Sequence, residues 1–303
     1  MEEKMEPCGV LVIDKPEGMT SHDVVGKVRR LYHTRKVGHT GTLDPLATGV
    51  LVILIGRAAK AAEYLTVKNK SYTATLRLGL TTDTEDVTGR TLTRCDDRPP
   101  AKEVAATAAR FAGEILQIPP MYSALKVNGQ KLVDLARKGI EIERKPRPVT
   151  VHSIVCSPLE GGDYTLAVTC SAGTYIRTLC ADIGKALGCG GVMATLRRTH
   201  SGEFALDEAV SPSALEKMTD AERLALLRPV ESLFCDLPAV TLPAFYERLC
   251  RSGCEIYQKK IGTAHKNGTR VRLCSSDGTF FALGEVREYP EGTAIKAIKQ
   301  FDI

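Results

Sequence analysis

Gly38-His39-Thr40-Gly41-Thr42-Leu43-Asp44-Pro45-Leu46-Ala47-Thr48-Gly49 runs without a break into Val50-Leu51-Val52-Ile53-Leu54-Ile55. The second half is a short, bounded apolar run, the pattern of a buried strand. The first half places three glycines, a proline, a histidine and an aspartate within twelve residues. A loop anchored so directly to a buried strand can present a side chain to a cleft. Asp44, pushed towards extended geometry by the following Pro45, and His39 are its chemical candidates. Read alone, the Asp-Pro pair is equally a turn cap, and His39 a satisfied surface histidine.

Working outward, Gly9-Val10-Leu11-Val12-Ile13 reads as another buried strand, stopped by Lys15-Pro16. Thr20 and Asp23 have capping-box spacing ahead of a helical Val24, Val25, Val28, Leu31 stripe. Tyr72, Ala74, Leu76 and Leu78 alternate as a strand does. Residues 101–112 predict an Ala-rich helix, and 132–136 a short one ended by Gly139. Strands at 152–157 and 164–170 flank a Glu160-Gly161-Gly162-Asp163 turn. Ile176, Leu179, Cys180, Ile183 and Leu187 share one helix face, with Gly188 as the stop. Ser211-Pro212 and Asp220 open two more helices. Beyond residue 235 a helix at 244–251 precedes strands at 270–274, 279–283 and 294–299, with a turn at Ser275-Ser276-Asp277-Gly278. Strands and helices do not alternate regularly, so the class is α+β rather than a doubly wound parallel sheet.

The 303 residues suit two domains. The longest wholly apolar stretch is residues 50–55, far short of the ~20 residues a membrane helix needs. The acidic MEEKMEP start lacks a signal-peptide core. Ten cysteines form no C-x-x-C pair, and the C-x3-C of Cys250 and Cys254 has no partner pair to complete a zinc site. Reduced thiols in the cytoplasm are the expectation. Net charge is +5, from 41 Lys+Arg against 36 Asp+Glu. Residues 26–36 hold five bases (Lys27, Arg29, Arg30, Arg35, Lys36) and no acid; 126–147 hold seven against three acids. Such concentration is an electrostatic footprint for phosphate backbones, or else a solvated charged face.

Ala172-Gly173-Thr174-Tyr175-Ile176-Arg177 turns Tyr175 and Arg177 away from the core face at a helix start, where an anion is welcome. Arg177 reads as an anion ligand or as a surface arginine paired with an acid. Thr81-Thr82-Asp83-Thr84-Glu85-Asp86 reads as an acidic turn, solvated or part of a carboxylate network.

Together these motifs resemble the TruB family of bacterial tRNA pseudouridine synthases over nearly the whole length. The resemblance rests on Val12-Ile13-Asp14-Lys15-Pro16-Glu17-Gly18-Met19-Thr20-Ser21, the Gly38–Pro45 loop, Tyr72, Thr82–Asp86, Pro119-Pro120-Met121-Tyr122-Ser123-Ala124, Gly173–Arg177 and Leu196-Arg197-Arg198. It implies a catalytic domain over 1–235, with a mixed, mainly antiparallel sheet flanked by helices. It also implies a basic, flexible thumb at about 120–148 that closes on RNA, and a small β-rich PUA-like RNA-binding domain over 236–303. Asp44 would be the catalytic aspartate and Arg177 its partner. His39 would contact the flipped-out nucleotides, Tyr72 stack on the target base, and Tyr175 and Leu196 line the pocket. Lys126, Lys131 and Arg137 would hold RNA from the thumb.

The implied reaction isomerises uridine 55 in the TΨC stem-loop of tRNA after base flipping. It gains neither electrons nor groups, so no cofactor or metal is expected. Asp44 could attack C1′, attack C6 or deprotonate C2′, and Arg177 would hold its pKa low despite burial. A monomer without an obligate protein partner is expected. The alternatives are a guide-RNA-dependent synthase acting on ribosomal RNA, a non-catalytic RNA-binding or tRNA-folding protein, and a metal-dependent nuclease using Asp44, Asp83 and Asp86.

Overall fold

The computed structural model describes residues 6–65, 69–123, 125–127 and 129–301; Ala124 of the Pro119–Ala124 motif lies outside them. In chain order the strands up to the insertion are β1 (Gly9–Lys15), β2 (Val37–His39), β3 (Thr48–Ile55), β4 (Lys70–Leu78), β5 (Leu80–Thr82), β6 (Thr91–Arg94), β7 (Gly113–Gln117), β8 (Lys126–Val127) and β9 (Gln130–Lys131). Then come β10 (Arg147–Pro158), β11 (Tyr164–Cys170), β12 (Gly191–Ser201) and β13 (Phe204–Ala205). The C-terminal strands are β14 (Ala239–Thr241), β15 (Ile256–Tyr257), β16 (Arg270–Cys274), β17 (Phe280–Tyr289) and β18 (Gly292–Gln300). The helices used below are α1 (Ser21–Leu31), α2 (Ala101–Ala109), α3 (Leu132–Ala136) and α4 (Ile176–Ala186).

The main sheet runs β1-β3-β12-β4-β11-β10-β7, with β2 beside β3 and β13 beside β12. Its pairings are antiparallel except β3 with β12, so it is mixed and mainly antiparallel, as expected. A second sheet, ordered β14-β16-β17-β18-β15, forms the PUA-like β-rich module. The capping box at Thr20 and Asp23 is present: the Asp23 backbone N–H donates to Thr20 Oγ1 and the Thr20 N–H to Asp23 Oδ2.

The apolar run at 50–55 does not alternate because both faces of β3 are covered. Leu51, Ile53 and Ile55, with Leu11 and Ile13 of β1, join the core beneath α1 and α4. Val50, Val52 and Leu54, with Val10 and Val12, pack on Val230, Leu233, Phe234, Phe280, Leu283 and Phe301. Each such side chain, fully buried, is worth about 1.5–3 kcal/mol of transfer free energy. The second core therefore joins the two sheets.

Several elements depart from the sequence reading. The first strand continues to Lys15, and the Ala-rich helix stops at Ala109 rather than 112. The strand expected at 152–157 starts at Arg147, so the basic insertion feeds straight into the sheet. The strand expected at 279–283 runs to Tyr289. Seven strands of two or three residues, β2, β5, β8, β9, β13, β14 and β15, are too short for any period to show. The insertion is organised around Leu132, which is fully buried at the start of α3. The Leu132 N–H donates to the Leu125 carbonyl and the Val133 N–H to that of Ser123.

The β3–β12 junction sets the exit of the loop at 38–49. There Gly49 has φ +98°, and a Cβ on it would lie 2.2 Å from the Arg198 carbonyl oxygen. Gly49→Ala is expected to lower unfolding free energy by about 2–4 kcal/mol, read by urea denaturation. An unchanged midpoint would mean the two strands can separate at no cost.

Candidate active site

The loop from Thr40 to Ala47 is fastened from three sides before its side chains do anything. Ser21, at the start of α1, donates through Oγ to the Leu43 carbonyl and accepts from the Leu43 N–H. Lys15 Nζ donates to the carbonyls of Pro16, Met19 and Pro45 at 2.8, 2.7 and 3.3 Å. Arg198 donates to the carbonyls of Val50, Gly41 and Thr42 at 2.7, 3.1 and 3.5 Å. Lys15 and Arg198 are almost wholly buried. Burial pushes the Lys15 ammonium down to about 8, partly countered by Asp44.

Within this frame the backbone turns at Pro45, and the Asp44 carbonyl accepts from the Ala47 N–H. Asp44 therefore does begin a turn, but its carboxylate points elsewhere. Asp44 Oδ2 lies 3.0 Å from Arg177 Nε, with 39% of the Asp44 side chain exposed against 5% for Arg177. Arg177 is thus neither a surface residue nor a free anion ligand. Its remaining donors reach the Thr84 carbonyl at 3.0 Å and the Tyr122 carbonyl at 2.8 Å. Asp86 Oδ2 lies 3.7 Å from Arg177 Nη1.

The 81–86 turn is accordingly part of a carboxylate network, with Asp86 buried and Asp83 left exposed. Asp86 Oδ1 accepts from Thr84 Oγ1, the Thr88 N–H and Thr88 Oγ1. Glu85 adopts φ +63° and accepts from Thr178 Oγ1 at 2.6 Å. Burial pushes the Glu85 carboxyl above the usual range. Among the described residues no group of three His, Cys, Asp or Glu side chains is arranged to hold a metal ion.

Asp44, Tyr72, Tyr175, Arg177 and Leu196 meet around one pocket of about 250 Å³, with Thr42, Lys70 and Ser123 also in its wall. Tyr72 comes from the core face of β4, and burial raises its phenol pKa. Tyr175 caps α4. Gln117 clamps its backbone, accepting from the Tyr175 N–H at 3.0 Å and donating to its carbonyl at 3.2 Å. His39, in β2, is not in the pocket wall. Among the described residues its buried Nδ1 has no hydrogen-bond partner, and burial with Arg198 and His22 lowers its pKa, favouring the neutral ring. Lys126, Lys131 and Arg137 are exposed on the insertion and are not part of the pocket wall. Sequence reasoning passed over Lys70 and Gln117, and weighed Asp86 only as a carboxylate of the metal-dependent nuclease alternative. Asp86 alone had a signal, its place in the acidic turn.

The basic run at 26–36 contributes less free charge than its composition suggested. Lys27 pairs with Glu216 at 2.9 Å, Lys36 with Glu6 at 3.0 Å, and Arg29 donates to the Val37 carbonyl.

The expectation that Arg177 holds the Asp44 pKa low needs correcting. Burial pushes it above the ordinary carboxylate value; Arg177 pulls it back, and repulsion from Asp86 adds to the rise. In a half-desolvated pocket, one guanidinium already shared with a second carboxylate does not offset lost hydration.

A cleft-facing aspartate held by a buried arginine, on a mixed sheet carrying a PUA-like module, is the plan of a pseudouridine synthase. Comparison with known proteins narrows this. Residues 29–176 match the model for the TruB family pseudouridylate synthase N-terminal domain. Residues 177–234 match that for the tRNA pseudouridylate synthase B C-terminal domain. The chain is 44% identical over 277 residues to a tRNA pseudouridine synthase B of Methylobacillus flagellatus, spanning 91% of this chain and 90% of that one. It is 46% identical to a namesake from Aromatoleum aromaticum over 91% and 88% of the two chains. Among solved structures it resembles a chain of a Cbf5–Nop10–Gar1 complex, with TM-score 0.75, 27% identity, and 99% and 86% of the chains covered. The chain belongs to the TruB family.

A raised Asp44 pKa has a kinetic signature. A group that must be ionised is lost as pH falls through its pKa. The acid limb of the single-turnover rate is therefore expected to have its midpoint above 3.8, the ordinary aspartate value. In Asp86→Asn the midpoint should move down, because a repelling charge is gone. A wild-type midpoint at or below the ordinary value would contradict the burial argument.

Proposed function

We propose that this chain converts uridine 55 in the TΨC arm of tRNA to pseudouridine. It would act as a cytoplasmic monomer, without cofactor, metal or obligate protein partner. In this reading residues 1–235 form the catalytic domain and 236–303 the PUA-like RNA-binding domain. The observation that carries it is Asp44, a carboxylate open to the pocket yet tethered to an almost fully buried arginine. A protein that only bound RNA would gain nothing from an anion aimed at a polyanion.

In the reaction the N1–C1′ bond breaks, the uracil turns, and C5 bonds to C1′. The C5 proton is released and N1 takes one up. Asp44 supplies the nucleophile or base. Arg177 fixes its orientation, and the lining residues keep water from the reacting ring. The target base must leave its stack first. Tyr72 offers a π face in exchange, worth roughly 1–3 kcal/mol. His39, outside the pocket wall, suits a contact to nucleotides beside the target. Lys126, Lys131 and Arg137 suit contacts to backbone phosphates.

The likeness to the Cbf5 complex raises a guide-RNA-dependent synthase as a second reading. The much higher identity to relatives named for tRNA favours the stand-alone enzyme.

Tritium release from a tRNA transcript labelled at uracil C5, run in EDTA, reads the isomerisation directly. Wild type is expected to release about one tritium per tRNA and Asp44→Asn none, with tRNA affinity of the variant nearly unchanged. No wild-type release with tRNA still bound would replace the enzyme by a binding or folding protein, or move the substrate to another RNA. Neutralising Lys126 and Lys131 together should reduce the slope of log affinity against log salt by up to about 1.4–1.8, at roughly 0.7–0.9 per phosphate contact. An unchanged slope removes the insertion from the RNA footprint.

A further inference from the structure

The pocket contains a charge that the chemistry above does not use. Lys70 opens β4 two residues before Tyr72, so the two side chains leave the same face of the strand. Both line the pocket with Asp44 and Leu196. The ammonium is short of anionic company. Arg198 of β12 faces it, and Cys170 sits opposite in register on β11. Among the described residues no carboxylate pairs with it. Asp44, the anion of the same pocket, is engaged by Arg177. Burial, aided by Arg198, pushes the Lys70 pKa down to about 8.

The ammonium has a close neighbour on the loop. A Cβ on Gly41 would lie 3.1 Å from Lys70 Nζ and 3.7 Å from Arg198 Nη1. A side chain at 41 would press on that ammonium, so glycine there lets Lys70 keep its place in the pocket wall. Lys70 is partly stripped of water, so an anion entering the pocket beside it meets more attraction than at an open surface. An RNA substrate brings such anions on each side of every nucleotide.

We propose that Lys70, an unpaired ammonium in the pocket wall, forms a subsite for a backbone phosphate adjoining the flipped nucleotide. The subsite holds that nucleotide while its base occupies the pocket. This inference rests on the reading of the pocket as a uridine site. Wild-type tritium release from an unmodified transcript tests that reading separately.

The test pairs protein and substrate changes in single-turnover kinetics. Ligated tRNAs carry one uncharged methylphosphonate linkage, on either the 5′ or the 3′ side of the target uridine. Lys70→Met is expected to raise the half-saturating tRNA concentration by about 10-fold or more, the size of a charge-assisted hydrogen bond. Its effect on the saturating rate should be smaller, and its salt slope shallower by about 0.7–0.9. Lys70→Arg should recover most of the loss. One of the two methylphosphonate linkages should weaken wild type by a similar factor and leave Lys70→Met unaffected. The proposal is overturned if both linkages weaken Lys70→Met as much as wild type. It is also overturned if Lys70→Met changes only the saturating rate. Should Lys70→Met fail to fold, wild type and Lys70→Arg decide, and indifference of both to either linkage overturns it.

Discussion

The loop that carries Asp44 is held by buried cations that donate to carbonyl oxygens. Taking Lys15 and Arg198 out of water costs several kcal/mol each unless every donor finds a partner. Their partners are six backbone carbonyls, four on the 41–50 segment and two on the adjoining 16–19 turn. The choice of carbonyls matters for the site. Carboxylate partners would have placed further anions beside Asp44 and raised its pKa more, as Asp86 already does. The loop gains rigidity while the pocket keeps a positive surround.

Arg177 plays the complementary part from the other side of the pocket. Its fork joins Asp44, the Thr84 carbonyl and the Tyr122 carbonyl, from three segments far apart in sequence. Tyr122 stands at the base of the basic insertion. The Asp44 carboxylate and the segment proposed to meet RNA thus share one side chain. Gln117 adds a second link, tying the end of β7 to the cap of α4. A pocket assembled this way is positioned by strand ends and a helix start, which move less than free loops.

Much of this was legible in the residues. The unbroken apolar run at 50–55 announced a buried strand, the Thr20/Asp23 spacing announced the start of α1, and the Ile176-to-Leu187 stripe announced α4. Asp44 and Arg177 stood out by type and setting. What stayed hidden depends on distance in space. Lys70 looks like an ordinary strand-end lysine until the fold shows that, among the described residues, no carboxylate pairs with it. Gln117 has no composition signal, because its role is two hydrogen bonds to a backbone 58 residues away. The charge run at 26–36 misled for the same reason: its acids, Glu6 and Glu216, lie outside the window in sequence but within 3.0 Å in space. The Asp44 pKa was misjudged because a pair can be read from a motif and the loss of hydration around it cannot.

The strand behind the loop has a consequence for how this protein could be divided. Val10, Val12, Val50, Val52 and Leu54 form an apolar face whose cover includes Phe280, Leu283 and Phe301 of the C-terminal module. A chain cut after the main sheet would lay that face bare as one contiguous sticky surface, and surfaces of that kind drive self-association. The module is therefore a lid on the main sheet as much as an attachment to it. Swapping it for another module would require the newcomer to bring its own phenylalanines to the same strand.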